Sequence, residues 1–488
     1  MAPAWLRPLL AACARSIVPP NFPLRKLVPC ILMLLVEAVC ASSLTSFVGY
    51  FCVDLGVART PEDAGTWAGW LVSTFNIAQF LSSYVIGAAS DALGRRPVLL
   101  FGSLGIAATN VLFGLAPGFW FAVAVRFLNG LLNGNVGVVK TYLGEITDST
   151  NRVQVFSYIG LTWCVGSVLG TFAGGVLYDP CGQYPGVFGG AGLFARFPAL
   201  LNQLVAGGLG AGAFVLGYFF IVENDVVRRD GVSGSACARV AGSVRKVVVS
   251  AARFFGPSTA WSCYVIGLYF LLGFGHTAFQ TVYPLLMIAA VGRGGLGFLT
   301  AQVGYFSAIA SAAGLVALVF FYKRFVRHAG LSLVFTVATF SNAAFYATFP
   351  SLEGLNGQPL WARWACYGLF AFFWNFFSQC AFSSIMTLIT NSVEPRLMGS
   401  ANGVSQSMVS LGRIVGTVSM SSLLAWSLNN GLPFPLNQYL PFYVLAATLF
   451  TASFLSLFVP RSVNAPREEA VRAQRGEVPH PPGARQTV

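Results

Sequence analysis

Two ionisable side chains stand inside long apolar stretches of the sequence. Glu37 lies in the first such stretch and Arg126 in the fourth. A charged group at membrane depth is costly unless it faces a cavity or a partner. A carboxylate near a fixed guanidinium can exchange a proton when solvent or a ligand enters, because the electrostatics of the pair then change. The two residues therefore predict proton coupling; the alternative is a structural ion pair that joins two helices.

A second group of polar and aromatic residues follows in the later stretches. His276, Gln280 and Tyr283 are spaced i, i+4 and i+7, which places them on one face of a helix. His276 can titrate near neutral pH and is a further candidate for proton coupling, although packing is the alternative. Such groups on facing helices form substrate cavities, whereas hydrogen bonding between helices is the alternative for the amides. The other predicted cavity residues are Trp163, Trp374, Asn375, Gln379, Asn402, Gln406 and Arg413.

The elements that position these residues follow from the composition. The chain has 488 residues, of which 56% are hydrophobic and 9% charged, whereas soluble domains average about 25% charged residues. This composition predicts an integral membrane protein, and a spanning helix needs about 20 apolar residues. Such runs occupy residues 27–55, 67–89, 98–115, 119–142, 153–178 and 198–222, then 258–291, 299–322, 331–349, 361–392, 397–428 and 438–459. The pattern is six helices, a polar stretch, and six more.

The distribution of positive charge predicts the orientation. With the N-terminus inside, 22 of the 29 lysines and arginines fall in cytoplasmic segments, and only Arg59, Arg196, Arg293 and Arg363 fall outside. Cytoplasmic loops carry the excess of basic residues in membrane proteins. Both termini are therefore expected in the cytoplasm. The first 36 residues contain no acid, which also fits an organellar transit peptide.

Other classes of function find little support. The basic residues lie in alternate short loops, so the net charge of +13 does not indicate nucleic-acid binding. The only histidines, His276, His328 and His480, are too dispersed for a metal site, and no catalytic set or cofactor motif indicates an enzyme. The ten cysteines behave as small apolar residues, although Cys52 and Cys181 are candidates for one disulfide.

A motif marks the loop between the second and third stretches. Gly87, Asp91, Gly94, Arg95 and Arg96 have the spacing G-x-x-x-D-x-x-G-R-R. Glycine permits a tight turn there, and the arginines fix it at the cytoplasmic surface. This motif resembles the signature of the major facilitator superfamily. The resemblance implies twelve transmembrane helices in two pseudo-symmetric six-helix bundles, an all-α membrane fold.

Further segments are similar to antiporters of that superfamily. Arg126 and Gly130 resemble the R-x-x-x-G pattern of the fourth helix. Gly166, Gly170, Gly174 and Gly175 resemble the glycine signature of the fifth, although close packing alone would also favour glycine there. The match of 166–171 to 412–417 indicates an internal repeat. With Asp91 and Arg95, the loop charges Glu145 and Arg152 are predicted to close the inner gate.

The nearest branch in resemblance is the zinc-induced-facilitator-like transporters, which are related to drug:proton antiporters. The chain departs from that branch at Ile86, where the branch has Trp, at Ala92, where it has a basic residue, and at Thr171, where it has Pro. The resemblance implies proton-coupled antiport of a small organic solute, such as a drug-like molecule, an organic ion or a metal chelator. The alternative is a transporter-like sensor that binds its solute without moving it.

The domain boundaries follow from the same runs. We expect a cytoplasmic tail at 1–26, a six-helix bundle at 27–222, a cytoplasmic linker at 223–257, a second bundle at 258–460 and a disordered tail at 461–488. The expected partners are a small-molecule substrate, protons and the lipid bilayer, with no nucleic acid and no cofactor. We expect a monomer in either the plasma membrane or a vacuolar or endolysosomal membrane.

Overall fold

Twelve long helices dominate the structure, a computed structural model that describes residues 24–60, 63–146, 152–189, 192–221, 260–393 and 398–464. The predicted linker and most of both predicted tails lie outside these residues. We number the long helices α1 to α12 in chain order. They are Leu24–Ser43, Gly65–Leu93, Arg95–Gly114, Phe119–Leu132, Arg152–Val176, Leu200–Phe220, Ala260–Ile288, Thr300–Val316, Leu331–Thr348, Leu360–Asn391, Met398–Asn429 and Leu440–Ser456.

Length and composition suit these helices to a bilayer. Ten segments of the described chain are long and apolar enough to cross a membrane. The other two are α2, which has 29 residues, and the shorter apolar α12. A bilayer offers no hydrogen-bond partners to the backbone. An apolar chain therefore crosses it as helices, which satisfy the backbone hydrogen bonds within each segment. The expected all-helical architecture is confirmed.

Two glycines form equivalent hinges in the two halves. Gly94 joins α2 to α3 with φ 106° and ψ 160°, as the sequence motif predicted for a tight turn. Gly330 precedes α9 with φ 79° and ψ 160°. Residues other than glycine are strained at such positive φ values. The same backbone device therefore closes the corresponding turn of each half.

Two of the long helices are irregular. The fourth membrane crossing ends its first segment at Leu132 and resumes as a second helix, Asn135–Ile146. At Gly134, between the segments, an added Cβ would lie 2.3 Å from a side-chain atom of Ile86. The eighth crossing passes through a π-helical segment, Ala317–Tyr322, into the helix Lys323–Ala329. Such interruptions often mark functional positions in helices.

The two bundles pack through α2 against α11 and α5 against α8. Close glycine contacts bring the latter pair together, since a Cβ at Gly175 would lie 2.8 Å from the Cα of Gly304. Tyr50 donates a hydrogen bond to the carbonyl oxygen of Phe298 at 3.0 Å. These contacts lie near the end of the molecule that carries Asp54, which we call the Asp54 end. The opposite end, where α2 meets α3, is the Arg95 end.

A polar chain also crosses between the bundles at the Asp54 end. The amide nitrogen of Asn429 donates to Asp63 at 3.0 Å, and Arg293 donates to the amide oxygen of Asn429 at 3.1 Å. Asp63 precedes α2, whereas Asn429 ends α11. The Asp54 end is thus held closed by both apolar and polar contacts.

The remaining described features concern two cysteines and the start of the C-terminal tail. Cys52 and Cys181 are both free thiols in the structure, and the Cys181 thiol donates to the carbonyl oxygen of Phe188 at 3.1 Å. The predicted C-terminal tail begins with a 3-10 turn at Arg461–Asn464. Asn464 in that turn accepts a hydrogen bond from the backbone of Ser332 at 2.9 Å.

Candidate functional site: a charged cavity in the first bundle

A small cavity inside the first bundle brings Glu37 and Arg126 together. Its volume is about 10 Å³, roughly the room that a single water molecule needs. Its walls come from the first four membrane crossings and comprise Glu37, Cys40, Ala41, Phe75, Ile106, Arg126, Asn129 and Asn133. Both charged side chains are buried, with 3% and 7% of their surface exposed. The two residues for which we predicted proton coupling therefore face one shared space.

Neither charge is neutralised by the other within this cavity. Glu37 Oε2 and Arg126 Nε are buried without a hydrogen-bond partner among the described residues. The Arg126 guanidinium instead lies over two aromatic rings, 5.1 Å from the centroid of Phe75 and 5.6 Å from that of Phe113. A cation over a ring face is attracted by the ring quadrupole. The arginine is thus held in place while its polar edge stays available.

Carboxamides that the sequence analysis did not single out complete the cavity. The side chain of Asn133 lies within hydrogen-bonding reach of the Glu37 carboxyl group. Asn129 donates to Thr109 at 2.7 Å, and Asn110 donates to the Cys40 sulfur at 3.3 Å. Asn129 and Asn133 follow Arg126 at spacings of three and seven residues. That spacing marks one helical face and was the signal that could have found them.

The predicted glycine signature of α5 lies against α1. A Cβ at Gly166 would lie 2.5 Å from that of Ala38, one at Gly170 2.5 Å from the carbonyl oxygen of Val39, and one at Gly174 2.1 Å from that of Ser43. No side chain fits at such distances. The glycines bring α5 close to the helix that carries Glu37, and Gly175 brings it close to α8.

The predicted inner gate is only partly described. Arg95 is buried and donates to the Ser90 hydroxyl at 2.8 Å. Arg96 donates to the carbonyl oxygen of Tyr218 at 2.7 Å and lies over the ring of the same residue. Gly87 has no atom within 4 Å of an added Cβ. The side chains of Asp91, Glu145 and Arg152, and that of Asn402 in the predicted cavity, lie outside the part of the chain that the structure describes.

The candidates of the second bundle fall into separate surroundings. His276 Nε2 lies 2.8 Å from the amide nitrogen of Gln280. Tyr283, whose hydroxyl pairs with Ser307 at 2.7 Å, and Trp374 belong to an aromatic cluster. Its rings are those of Phe279, Tyr283, Phe306, Tyr346, Phe349, Trp374 and Phe442. Trp374 has only 1% of its surface exposed, so this region is filled by side chains.

The remaining predicted cavity residues lie on α5, α10 and α11. Gln379 donates to Asn375 at 3.4 Å, and both residues pack against α8 at Gly314. Trp163 on α5 has 38% of its surface exposed. On α11, Gln406 reaches the hydroxyl of Tyr269. Arg413 lies near Tyr269 and His276. The structure thus brings Arg413 towards α7 but not into the cavity of Glu37.

A second pocket opens at the Asp54 end, beyond the spanning segments. Its volume is about 110 Å³, and the residues that line it include Asp54 and Arg196. The Tyr178 hydroxyl donates a hydrogen bond to the Asp54 carboxylate. Partial burial raises the pKa of Asp54, Tyr178 opposes that rise, and the nearby charge of Asp179 adds to it. The pKa of Tyr178 is raised in turn, first by its own burial and then by Asp54.

Comparison with known proteins decides the family. Residues 30–417 match the family described as Major Facilitator Superfamily. The chain belongs to the major facilitator superfamily. Members of this superfamily move small molecules across membranes, so the protein is a multi-pass membrane transporter. Among the described residues, no group of three or more His, Cys, Asp or Glu side chains could hold a metal ion.

Two relatives and one solved structure illustrate the membership. The chain is 30% identical to Protein ZINC INDUCED FACILITATOR 1 of Arabidopsis thaliana over 403 residues, which cover 79% of this chain and 81% of the relative. It is 26% identical to the multidrug transporter mfsB of Aspergillus fumigatus, in a match that covers 84% of this chain and 80% of the relative. The crystal structure of the human organic anion transporter MFSD10 superposes with a TM-score of 0.61 at 18% sequence identity. The superposition covers 90% of this chain and 100% of the MFSD10 chain. The structural likeness shows the fold.

Proposed function

We propose that this member of the superfamily exchanges protons for a small organic solute and moves the solute out of the cytosol. One observation carries the proposal: Glu37 and Arg126 line the same cavity, and each keeps a polar atom without a partner. A purely structural ion pair would satisfy both groups. A buried carboxyl group with one unpaired oxygen can instead take up and release a proton as its surroundings change.

Alternating access supplies the rest of the cycle. The contacts at the Asp54 end hold the two bundles together there. In this proposal the Arg95 end and both termini face the cytoplasm, and the bundles rock so that the Asp54 end opens in the other state. Arg95, with Asp91, Glu145 and Arg152, then closes the cytoplasmic end. The relatives named as a zinc-induced facilitator and a multidrug transporter support a metal chelator or a drug-like molecule as the solute.

Glu37→Gln tests the coupling, because the amide keeps the shape of the side chain but cannot carry the proton. We expect the variant to fold and to lose solute flux driven by an imposed pH gradient in proteoliposomes. Glu353→Gln is the matched control: Glu353 accepts a hydrogen bond from Gln438 far from the cavity, so its flux should equal that of the wild type. Undiminished flux in Glu37→Gln would remove Glu37 from the mechanism.

The same assay separates transport from sensing. A diverse panel of organic solutes is offered to vesicles with and without a pH gradient, and both binding and uptake are measured. Uptake that follows the pH gradient supports proton exchange. Saturable binding without uptake by the wild-type protein would favour the sensor instead.

A further inference from the structure

Three polar atoms without a hydrogen-bond partner belong to side chains that line the cavity of Glu37. They are Glu37 Oε2, Arg126 Nε and the amide oxygen of Asn133, each buried without a partner among the described residues. None of these side chains has more than 7% of its surface exposed. A buried polar group that makes no hydrogen bond costs free energy, and such groups are few in native proteins. Three of them around one space indicate a polar ligand.

The size and charge of the cavity restrict that ligand to a water molecule. A volume of about 10 Å³ holds one water and no organic solute. A small cation would lie against the permanent charge of Arg126 and would be repelled. Buried waters typically make about three hydrogen bonds to polar groups that are otherwise unsatisfied. The three unpartnered atoms match that requirement.

The break in the fourth crossing gives Asn133 its position. Asn133 follows the helix Phe119–Leu132 with φ −94° and ψ 88°, outside the helical range. The next residue, Gly134, packs against Ile86 of α2 without room for a Cβ, which fixes the turn. The Asn133 side chain thus lines the cavity within reach of the Glu37 carboxyl group, and its amide oxygen is left without a partner.

One water satisfies the three atoms in both protonation states of Glu37, because water has two O–H donors and two lone pairs. While Glu37 is ionised, the water donates to its Oε2 and to the Asn133 amide oxygen, and it accepts from Arg126 Nε–H. Once Oε2 carries a proton, the carboxyl group donates to the water, which still accepts from Arg126 and donates to Asn133. Only the water has to reorient between the two states.

We propose that one water molecule occupies this cavity and relays the proton of Glu37, and that Asn133 positions this water. The inference rests on the proposed function and names the path of its proton. The O–H bond of the Glu37 carboxyl group breaks as a new O–H bond forms on the water. The water then passes one of its original protons to solvent water, which leaves a carboxylate and a hydrated proton. Lys140 and Cys40 also lie near Glu37, but the relay uses neither.

Radiolytic labelling of the full-length protein in lipid nanodiscs tests the water without any solute. X-ray pulses convert a bound water into hydroxyl radicals, which oxidise the side chains that touch it. Ile106 lines the cavity and is 2% exposed, whereas the matched Ile266 on α7 is 3% exposed and packs in the hydrophobic core. We expect Ile106 to be oxidised about five times as fast as Ile266 in the wild type, and only as fast in Asn133→Leu. Equal rates in the wild type would overturn the water.

Infrared difference spectra recorded across a pH jump test the relay. In the wild type we expect a C=O band of the protonated Glu37 carboxyl group, which Glu37→Gln lacks, and an O–H stretching band that moves to lower frequency in heavy-oxygen water. The carboxyl band without the water band would refute the relay while leaving Glu37 as the proton carrier. If the wild type lacked the carboxyl band, the proposed function would fail, and the labelling comparison would still decide the water.

Two substitutions separate positioning by Asn133 from packing. Asn133→Leu keeps the volume but removes the amide oxygen, whereas Asn133→Ala leaves space for a second water to replace that oxygen. We expect the decay of the carboxyl band to slow about tenfold in Asn133→Leu and much less in Asn133→Ala. A packing role predicts the opposite order, because alanine leaves the larger cavity, and that order would contradict the proposal. The matched control is Asn342→Leu, a change to a buried carboxamide on α9 that should leave both bands unchanged.

Discussion

The two halves of the transporter share a scaffold but differ in what fills it. In the first half, Gly166 and Gly170 bring α5 against α1; in the second, Gly412 and Gly416 bring α11 equally close to the carbonyl oxygens of Phe270 and Phe274 on α7. The first half encloses a small cavity in which Glu37 and Arg126 each keep one polar atom without a hydrogen-bond partner. The second is filled by stacked rings, with the centroids of Phe279 and Tyr346 4.0 Å apart. Small residues set the spacing of the helices in both halves. The larger interior residues make the two halves different, with a polar cavity in the first and packed rings in the second.

This contrast suggests that the second half contributes mainly to stability and the first half to proton and ligand chemistry. A close-packed aromatic region resists change, because any lost volume leaves a cavity that neighbouring side chains fill only in part. A cavity with unpaired charges stores free energy that a proton or a ligand can release. The predictions that follow test this division, and the comparison fails if substitutions in both halves act alike.

The largest effect is expected in the aromatic cluster. Trp374→Ala should lower the free energy of unfolding by about 3–5 kcal/mol, because it removes a fully buried ring. Thermal unfolding and the fraction of monodisperse protein in detergent measure this loss. Trp374→Phe keeps most of the ring and removes an indole N–H that has no hydrogen-bond partner, so it should retain both fold and flux. A folded Trp374→Phe variant without flux would show that Trp374 contacts the solute instead of only packing.

An intermediate effect is expected at the two hinge glycines, where the halves should respond alike. Gly94→Ala and Gly330→Ala should each destabilise the protein by about 1–3 kcal/mol, because alanine is strained at positive φ. Gly87→Ala is the control, since Gly87 is helical and an added Cβ has open space. Unfolding midpoints of the three variants give the comparison. A clear cost at only one hinge would contradict the equivalence of the two turns.

The smallest effect is expected at Asp54. Because its pKa is raised in the folded protein, the folded state holds this proton more tightly than the unfolded state. Stability should therefore fall as the pH rises from the unfolded pKa of about 3.9 through the folded value. Asp54→Asn should remove this slope, with an effect below about 0.5 kcal/mol, since the side chain lies at the surface. Unfolding midpoints across the acidic range measure it.

Tyr178→Phe provides the opposite change at the same position. Its hydroxyl favours the ionised carboxylate and opposes the rise in the pKa of Asp54. Removing the hydroxyl should raise that pKa further and extend the pH range over which stability falls. If Tyr178→Phe instead shortened that range, the role of this hydrogen bond would be wrong.

Local features of the fold were predictable from sequence. Gly94 was expected to form a tight turn because of its place between an apolar run and two arginines, and its φ of 106° fits that role. The glycine spacing at Gly166 and Gly170 predicted a close approach of two helices, because glycine lets helix backbones come near each other. Glu37 and Arg126 could be paired in advance, because the cost of burying charge restricts where such residues can point.

Long-range features were not predictable in this way. The run 119–142 was expected as one continuous helix, yet the crossing is broken at Asn133 and Gly134, which no proline marks. Tyr283 and Trp374 were placed on suitable helix faces, but only packing shows that their rings fill the space.

The break in the fourth crossing also bears on how the protein enters the membrane during synthesis. Its two segments have 14 and 12 residues, and each is shorter than the roughly 20 residues that partition into a bilayer as an independent span. The second segment also carries Lys140, which makes its transfer into lipid still less favourable. Only the two segments together, 119–143, are long and apolar enough to cross a membrane, so they have to enter the bilayer as one unit.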